Sequence, residues 1–305
     1  MEKENKTINI LLIVIMILVF VGCIVAYLYF THTWEKKDKN QEPIFTIENY
    51  PKIDGSTATL PLAQAYKSAF TGTDIEKVDD SHSKTHNAYV NLIDKKSDLI
   101  LVTYPSEEEK KLAKDAGIEL EIVPVVKEAF VFFVNKENII DNLMLNQIQD
   151  IYSGKITNWK EVGGADAPIL AYQRPQNSGS QSGMLSLVMQ GIKMKEPEKE
   201  TIAQSMVDIV DVISDYQNKD NAIGYSYYYY ITTMYSKDQI KLLSVNGIEP
   251  TYDNIKTGLY SIQTAYYAVI RKDEPENSDV RKLLNAMIST YGQNVAKEAG
   301  YVQNY

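Results

Sequence analysis

The chain opens with a long apolar segment and then alternates short apolar runs with amphipathic segments. Residues 8–30 spell INILLIVIMILVFVGCIVAYLYF, without the polar stripe that a helix on a soluble core would show. At about 1.5 Å per residue, such a run is long enough to cross a bilayer core of about 30 Å. We therefore predict that residues 1–30 form a transmembrane signal anchor and that the polar residues 31–45 form a linker.

The fate of this segment depends on its cysteine. The sequence Phe20-Val21-Gly22-Cys23 is similar to a bacterial lipobox, in which Cys23 would carry a lipid and the residues before it would be removed. The chain stays apolar beyond Cys23 as far as Phe30, whereas a mature lipoprotein usually continues in a polar linker, and this favours the uncleaved anchor. Both alternatives place the rest of the chain outside the cytoplasmic membrane.

After the linker, the pattern is typical of an α/β fold. Short apolar runs predict strands at residues 99–102, 122–126, 129–134, 222–231 and 266–270. Amphipathic segments predict helices that begin after Ser106 or cover residues 143–152, 183–194 and 280–298. Ser106 stands before three glutamates, an arrangement that caps a helix N-terminus and complements its dipole.

Composition narrows the function. The 305 residues include 31 Lys+Arg against 40 Asp+Glu, a formal net charge of −9, and this acidic balance argues against a nucleic-acid partner. The single Cys excludes an intrachain disulfide and a zinc site built from cysteines. Net charge acts mainly on encounter rate and solubility, so it does not exclude an anion bound at hydrogen-bond range.

Two small, hydroxyl-rich turns precede predicted helices. The first is DGSTATL at residues 54–60, and the second is QRPQNSGSQSG at residues 173–183, where Arg174 lies four residues before a Ser-Gly-Ser turn. Free backbone N–H groups at a helix start and an arginine fork are groups that bind oxyanions. An ordinary N-cap and a solvated loop explain either turn alone. The presence of both turns favours an anion site.

Three further segments resemble one protein family. Residues 145–159, LNQIQDIYSGKITNW, residues 222–225, AIGY, and the C-terminal pattern from Tyr291 to Val302 resemble the phosphate-specific substrate-binding proteins of bacterial ABC transporters. The resemblance implies a two-lobed α/β fold, the Venus-flytrap architecture of type II periplasmic-binding-protein-like proteins, with the ligand held between the lobes. Lobe 1 would be residues 46–128 plus 259–305, and lobe 2 would be residues 129–258.

The resemblance also implies which residues bind the ligand. Ser56 and Thr57 match a first-lobe turn that donates hydrogen bonds, and Thr85 matches a further hydroxyl donor for which Ser83 is nearly as good a candidate. The second-lobe clamp would consist of Arg174, Ser178, Gly179 and Ser180.

One position departs from the family pattern. Thr103 stands where the family usually has an Asp, whose carboxylate accepts a hydrogen bond from protonated phosphate and repels fully ionised sulfate. A Thr hydroxyl can donate as well as accept. We therefore expect Thr103 to contact a tetrahedral oxyanion, with the selectivity between phosphate and sulfate left undecided.

Other chemical signals are weaker. His82 and His86 have the four-residue spacing of a metal pair, but no third ligand is near them in the sequence, so we expect a loop or capping role and no metal site. The run Tyr227–Tyr230 is predicted to alternate between the faces of a strand, with an aromatic ligand box as the less favoured alternative. The sequence shows no catalytic set, so we expect neither an enzyme nor a cofactor.

The sequence thus predicts a membrane-tethered extracellular protein that captures inorganic phosphate, or a related tetrahedral oxyanion, for an ABC importer. The ligand would close the two lobes by bridging the two turns. The expected partners are the anion, an ABC transporter permease and the membrane. The alternatives are a surface sensor or structural module on the same fold, and a hydrolase of phosphate esters, which we do not expect.

Overall fold

The computed structural model of this chain describes Phe20 and residues 42–78, 80–176, 178–218 and 221–305. Two compact units are distinguished, Met1–Ile44 and Phe45–Tyr305, and the second contains the fold and the site described below. The predicted signal anchor, with Cys23, lies outside the described residues except for Phe20, and so does most of the predicted linker. None of the helices within these ranges has the length and apolar character that a membrane crossing requires.

The second unit alternates strands and helices, as the apolar pattern predicts. Its strands are β1 (Ile53–Gly55), β2 (Leu99–Val102), β3 (Leu120–Asn135), β4 (Asn142–Leu143), β5 (Leu170–Ala171), β6 (Ala222–Tyr227), β7 (Ile240–Leu242), β8 (Ser244–Val245), β9 (Gln263–Arg271) and β10 (Val302–Gln303). Its α-helices are α1 (Leu60–Thr71), α2 (Thr85–Ile93), α3 (Glu107–Asp115), α4 (Leu145–Ser153), α5 (Gly179–Gly183), α6 (Met206–Ser214), α7 (Tyr252–Thr257), α8 (Asp279–Ile288) and α9 (Thr290–Glu298).

The long strand β3 joins two groups of strands. The main sheet has the order β1-β2-β9-β3-β6-β5, with β10 and β7 also paired to β3. Residues 120–129 of β3 pair with β9, and residues 130–134 pair with β6, so the strand changes partners midway along its length. This arrangement gives a mixed α/β fold with two lobes. The predicted division near residue 129 falls at the change of partner, and it stays a prediction.

Several sequence predictions agree with the observed elements. Strand β2 covers the predicted residues, and the predicted strand at 266–270 lies inside β9. Ser106 caps α3 by accepting from the Glu109 amide at 3.4 Å, and the Glu109 carboxylate accepts from the Ser106 amide at 2.7 Å. The strands predicted separately at 122–126 and 129–134 are parts of the single strand β3.

Three predicted helix boundaries were wrong because side-chain caps or a neighbouring strand set the observed ends. The helix predicted from residue 183 begins at Gly179, where the Ser178 hydroxyl caps it, and it continues as a π-helical segment, Met184–Met189. The helix predicted at 280–298 breaks at Ser289, whose backbone is extended (ψ 162°) and whose hydroxyl caps α9. The helix predicted from residue 143 begins at Leu145, because Leu143 belongs to β4.

The tyrosine run is not an extended strand. Strand β6 ends at Tyr227, the next residues are helical, and a π-helical segment follows at Tyr230–Met234. The backbone N–H of Tyr229 donates to the Glu128 carboxylate at 3.3 Å. This N–H is therefore not used for pairing with a neighbouring strand. The prediction that the four tyrosines alternate between two faces was therefore wrong.

The family-like segment at residues 145–159 supports the second lobe. Gly154 ends α4 with a left-handed backbone (φ 82°), and Asn158 caps a short 3-10 helix, Trp159–Val162. The Trp159 side chain is fully buried, and its indole N–H donates to the Asn221 carbonyl at 3.0 Å. The segment thus serves the folding of the lobe, because a buried indole requires a partner for its single donor.

Glu128 is a buried carboxylate at the point where β3 changes partners. It is 2% exposed and accepts from the backbone N–H of Ala129 at 2.8 Å and from that of Tyr229 at 3.3 Å. Burial raises the pKa of the Glu128 carboxyl to about 7, although these hydrogen bonds act in the opposite direction. The native state therefore holds a proton that an unfolded chain, with an ordinary value of 4.5, would release.

We predict that Glu128 makes the protein less stable as the pH rises from 4.5 to about 7. Over that window the native state binds more protons than the unfolded state, so the free energy of unfolding falls, by about 3 kcal/mol in all. The side chain introduced by Glu128→Gln is uncharged, so the variant should lack this part of the decrease in the free energy of unfolding with pH. Urea unfolding of the two proteins at about pH 5 and about pH 8 measures the difference. An equal change in the free energy of unfolding between the two pH values for wild type and variant would contradict the prediction.

Candidate functional site

The first predicted turn lies at the carboxyl ends of two parallel strands. Ser56 follows β1, and its backbone N–H donates to the Leu101 carbonyl of β2 at 3.0 Å. A short 3-10 helix, Thr57–Thr59, then leads into α1 without a side-chain cap. Within the described residues, the amides of Thr57 and Ala58 have no hydrogen-bond partner. The ordinary N-cap interpretation therefore does not apply here, and these donors are free to bind a ligand.

A buried carboxylate holds this turn in place. Asp54 accepts from the Gly55 amide at 2.7 Å, from the Ser83 hydroxyl at 2.6 Å and from the Asn91 side-chain amide at 2.8 Å. Burial would raise the pKa of the Asp54 carboxyl, but the hydrogen bonds from Ser83, Asn91 and Gly55 together outweigh burial and lower it. Asp54 thus ties the first turn to the segment that opens α2.

The opening of α2 favours Thr85 over Ser83 as a ligand residue, and this assignment stays a prediction. The Ser83 hydroxyl is bonded to Asp54 and does not line the cavity described below, whereas the buried Thr85 does. Between them, Lys84 has φ 76° and ψ 162°. That combination is essentially restricted to glycine, and a side chain there stores strain of about 1–3 kcal/mol.

Arg174 is buried and makes no ion pair with a described residue, although the Asp208 carboxylate acts on it from a longer distance. It is 9% exposed, and its backbone N–H donates to the Tyr225 hydroxyl at 3.1 Å. Its Nη2 donates to the Gln204 carbonyl at 3.3 Å, while Nε and Nη1 have no partner. Burial lowers the pKa of the guanidinium, but arginine keeps its charge in proteins. An anion in the adjacent cavity would supply the missing charge.

The second turn presents further donors. The Ser178 hydroxyl caps α5 by accepting from the Gln181 amide at 3.2 Å, and the amides of Gly179 and Ser180 have no partner among the described residues. The Ser180 hydroxyl is buried and unpartnered, as is the Thr103 hydroxyl, which follows β2 in the other lobe. The Tyr227 hydroxyl lies beside Thr103 but donates to the Gly179 carbonyl at 2.9 Å.

The two lobes approach each other at Gly179. A Cβ on this residue would lie 2.7 Å from the Thr85 hydroxyl oxygen and 3.2 Å from that of Thr103. These distances leave no room for a side chain, so the close approach of the second turn to the first lobe requires glycine.

The structure brings all the predicted binding residues to one cavity of about 540 Å³. The predicted residues that line it are Ser56, Thr57, Thr85, Thr103, Arg174, Ser178, Gly179 and Ser180. Their lining of a common cavity is observed, whereas their contact with a ligand stays a prediction.

The cavity is also lined by residues that the sequence did not single out as ligand residues. These are Ala58, Lys84, His86, Asn87, Pro175, Gln204, Ser205, Met206, Val207, Tyr227, Tyr230 and Tyr266. Tyr227 and Tyr230 belong to the run for which a ligand box was the less favoured alternative. Nothing in the sequence distinguishes Lys84, because its unusual backbone depends on the packing of the turn before α2.

The two histidines have separate partners. The Nδ1 atom of His82 lies 2.8 Å from the Ser56 carbonyl oxygen, and that of His86 lies 3.3 Å from the Glu109 carboxylate. No cluster of three metal-ligating side chains occurs in the part of the chain that the structure describes. His82 thus supports the first turn, and His86 lies at the cavity with Glu109 behind it.

Comparison with known proteins identifies relatives that bind phosphate. The chain is 29% identical over 182 residues to the phosphate-binding protein PstS of Borreliella burgdorferi, covering 57% of this chain and 63% of that protein, which is less than two thirds of its length. It is 25% identical over 278 residues to PstS of Bacillus subtilis, covering 85% of this chain and 81% of that protein.

Solved structures show the same architecture. A putative phosphate ABC transporter substrate-binding protein with bound phosphate from Clostridium perfringens has a TM-score of 0.65 and 27% identity, covering 83% of this chain and 98% of that chain. A phosphate transport receptor from Vibrio cholerae has a TM-score of 0.64 at 20% identity, covering 82% and 98%, and this likeness concerns the fold alone. A family model described as the PBP superfamily domain matches residues 47–293. The resemblance seen in the sequence is confirmed, and the chain belongs to the PBP superfamily.

Proposed function

We propose that this protein captures inorganic phosphate, or a related tetrahedral oxyanion, outside the cytoplasmic membrane and delivers it to an ABC importer. The observation that carries the proposal is the buried Arg174 guanidinium, which faces the cavity without a described counter-ion. No reaction and no cofactor form part of the proposal. The phosphate-binding relatives and the substrate-binding protein from Clostridium perfringens with bound phosphate support the transport context.

The charge of Arg174 is the first requirement that an oxyanion meets. An ion taken out of water without a partner costs several kcal/mol even after the protein relaxes. Its free Nε and Nη1 atoms carry N–H donors in the planar arrangement that matches two oxygens of a tetrahedral anion. Phosphate would therefore neutralise the charge and satisfy the donors together.

The unpartnered hydroxyls are the second requirement. The hydroxyl groups of Thr103 and Ser180 are buried in the cavity wall, and a buried polar group without a partner costs about 1–3 kcal/mol. The free amides of Thr57 and Ala58 in one lobe and of Gly179 and Ser180 in the other add main-chain donors. All the oxygens of sulfate, and every oxygen of phosphate that carries no proton, only accept, so a cavity with these donors on both sides fits an oxyanion.

Lobe closure follows from where these donors lie. The donors of the first turn and Thr103 are on one lobe, while Arg174 and the second turn are on the other. An anion that contacts both sides stabilises the closed state by its differential affinity for that state. The short approach of Gly179 to Thr85 describes a conformation in which the two sides already meet.

The alternatives from the sequence differ in what they require of the cavity. A purely structural module would gain nothing from a buried, unneutralised arginine, so this feature favours a ligand-binding protein. A surface sensor on the same fold would bind the same anion and differ only in its partner. Oxyanion binding therefore distinguishes the transport protein and the sensor from the structural module. Association with a permease then distinguishes the transport protein from the sensor.

We predict opposite effects of Arg174→Gln on binding and on stability. The phosphate affinity should fall about 100-fold, because charge-assisted hydrogen bonds are lost. The ligand-free protein should keep or gain stability, because a buried charge without a partner is removed. Arg174→Lys keeps the charge but loses the fork, so its affinity should fall about tenfold. Calorimetric titration of the full chain in detergent measures affinity, and urea unfolding without anion measures stability.

A structural arginine would behave differently. If Arg174→Gln lowered the ligand-free stability by about 2 kcal/mol or more and left phosphate affinity unchanged, Arg174 would be a packing residue and the proposal would fail. The absence of any heat from phosphate, sulfate, arsenate and molybdate with the wild-type chain would also refute it.

We predict that Gly179→Ala prevents full closure. The added methyl group would lie 2.7 Å from the Thr85 hydroxyl oxygen, so the two sides must separate or the Thr85 side chain must leave its position in the cavity wall. Phosphate affinity should fall at least tenfold with little change in ligand-free stability, since opening relieves the clash. Ser182→Ala is the matched control, because Ser182 lies in the same short helix and does not line the cavity. Equal affinities for the two variants would contradict this role of Gly179.

We further propose that residues 1–30 tether the protein to the membrane as an uncleaved anchor. The apolar run is long enough to cross the bilayer without help from a lipid, so Cys23→Ala should remain in the membrane fraction and differ in mass from the wild type only by the substitution. Fractionation with intact-mass spectrometry checks this. A wild-type mass that shows cleavage before Cys23 with an added lipid, lost in the variant, would establish the lipoprotein alternative instead.

A further inference from the structure

The described residues that line the cavity carry cationic side chains and no carboxylate. Arg174 and Lys84 are the basic residues among them, and His86 is a third ionisable group. Burial raises the pKa of Tyr227 and of Tyr230, in the latter case to about 12, so both phenols stay neutral near pH 7. The described cavity lining thus offers positive charge and no carboxylate, and the Asp208 carboxylate acts on Arg174 only from outside that lining.

The carboxylates around the cavity are held by other donors. Asp54 accepts from the Ser83 hydroxyl, Glu109 from the Ser106 hydroxyl and Asp208 from the Ser205 amide, each within 2.8 Å. Glu128 accepts from the amides of Ala129 and Tyr229. None of these four residues lines the cavity. They are therefore not placed to accept a proton from a bound ligand.

Lys84 occupies a backbone conformation that is unfavourable for it. With φ 76° and ψ 162°, it lies in a region that is essentially restricted to glycine, at the point where α2 opens onto the cavity. Its ammonium group has no ion-pair partner in the described part of the chain. Backbone strain clusters at ligand sites, so a strained lysine at the cavity without an ion-pair partner among the described residues is a candidate for a ligand contact.

We propose that Lys84 is a second cationic binding residue, and that with Arg174 and without a carboxylate it makes this a site for doubly charged tetrahedral oxyanions, sulfate as well as phosphate. The inference rests on the proposed function, since it assumes that the cavity binds an oxyanion. It assigns a residue that the family resemblance did not supply, and it specifies the charge state of the ligand.

The physical reason lies in what a site needs in order to reject sulfate. Rejection requires a fixed acceptor that faces an oxygen without a proton, so that two acceptors meet. The hydroxyls of Thr103 and Ser180 can rotate to donate or accept, so they do not impose this penalty. The charges of Arg174 and Lys84 attract a dianion more strongly than a monoanion. Lys84 is exposed, so its share is reduced by salt.

The test compares phosphate and sulfate on the full chain in detergent. Phosphate takes up a proton as the pH falls from about 8 to about 6, whereas sulfate stays a dianion, and effects of the protein that act equally on both anions cancel in the ratio of their affinities at one pH. We expect sulfate to bind within about tenfold of phosphate at about pH 8, and to gain on phosphate at about pH 6.

The variants isolate Lys84. Lys84→Gln should weaken sulfate binding three- to tenfold at low salt, with the loss shrinking as salt is added, since one partly screened charge is removed. Lys95→Gln is the matched control, because Lys95 also has a positive φ (60°), is exposed and lies at the other end of α2, away from the cavity. Lys84→Gly should lose sulfate affinity to a similar extent while raising the unfolding midpoint, because glycine relieves the strain.

Thr103→Asp tests the missing carboxylate directly. It should weaken sulfate binding far more than phosphate binding at both pH values, because phosphate keeps at least one proton that it can donate to the carboxylate, whereas sulfate has none.

The inference is overturned if the wild-type chain binds phosphate but rejects sulfate, or if Lys84→Gln has the same sulfate affinity as the Lys95→Gln control. It is also overturned if Thr103→Asp leaves the ratio of the sulfate and phosphate affinities unchanged. Binding of neither anion by the wild type would instead refute the proposed function itself.

Discussion

The guanidinium of Arg174 is buried without a direct ion pair to any described residue, and Asp208 acts on it only at longer range. Its backbone is fixed by the Tyr225 hydroxyl, and one of its nitrogens is bonded to the Gln204 carbonyl, so the group cannot easily swing out to water. A charge held in this way destabilises the empty protein by several kcal/mol and favours any ligand that removes the penalty. The hydroxyls of Thr103 and Ser180 are also buried without a hydrogen-bond partner, and this costs less than a buried charge.

The fold places these unsatisfied groups on two lobes that share strand β3. The region where β3 changes partners is packed with aromatic side chains, since the rings of Tyr229 and Tyr301 stack with their centroids 3.6 Å apart. The Tyr301 hydroxyl donates to the Ala58 carbonyl at 2.7 Å, next to the first turn. The buried carboxyl of Glu128 holds the Tyr229 amide at the same crossing. The crossing and the binding turn are therefore linked by a short series of contacts.

The site was more predictable from the sequence than the features that shape it. The turn containing Arg174 is encoded locally, because its Ser-Gly-Ser chemistry and its position before a helix are visible in a few residues. The end of β6 was missed because Tyr229 is bonded to Glu128, which lies 101 positions away in the chain. Lys84 was missed because its backbone angles depend on packing that no local pattern reports. The segment most specific to the family, which includes Trp159, supports the lobe and does not line the cavity.

A crystal structure of the protein grown with phosphate tests the central claim most directly. The account predicts one anion in the cavity, with its oxygens within hydrogen-bond distance of Arg174 Nε or Nη1, of the Thr103 hydroxyl and of the Ser180 hydroxyl, the atoms that now lack partners. An empty cavity at saturating phosphate, or an Arg174 guanidinium neutralised by a protein carboxylate, would contradict it.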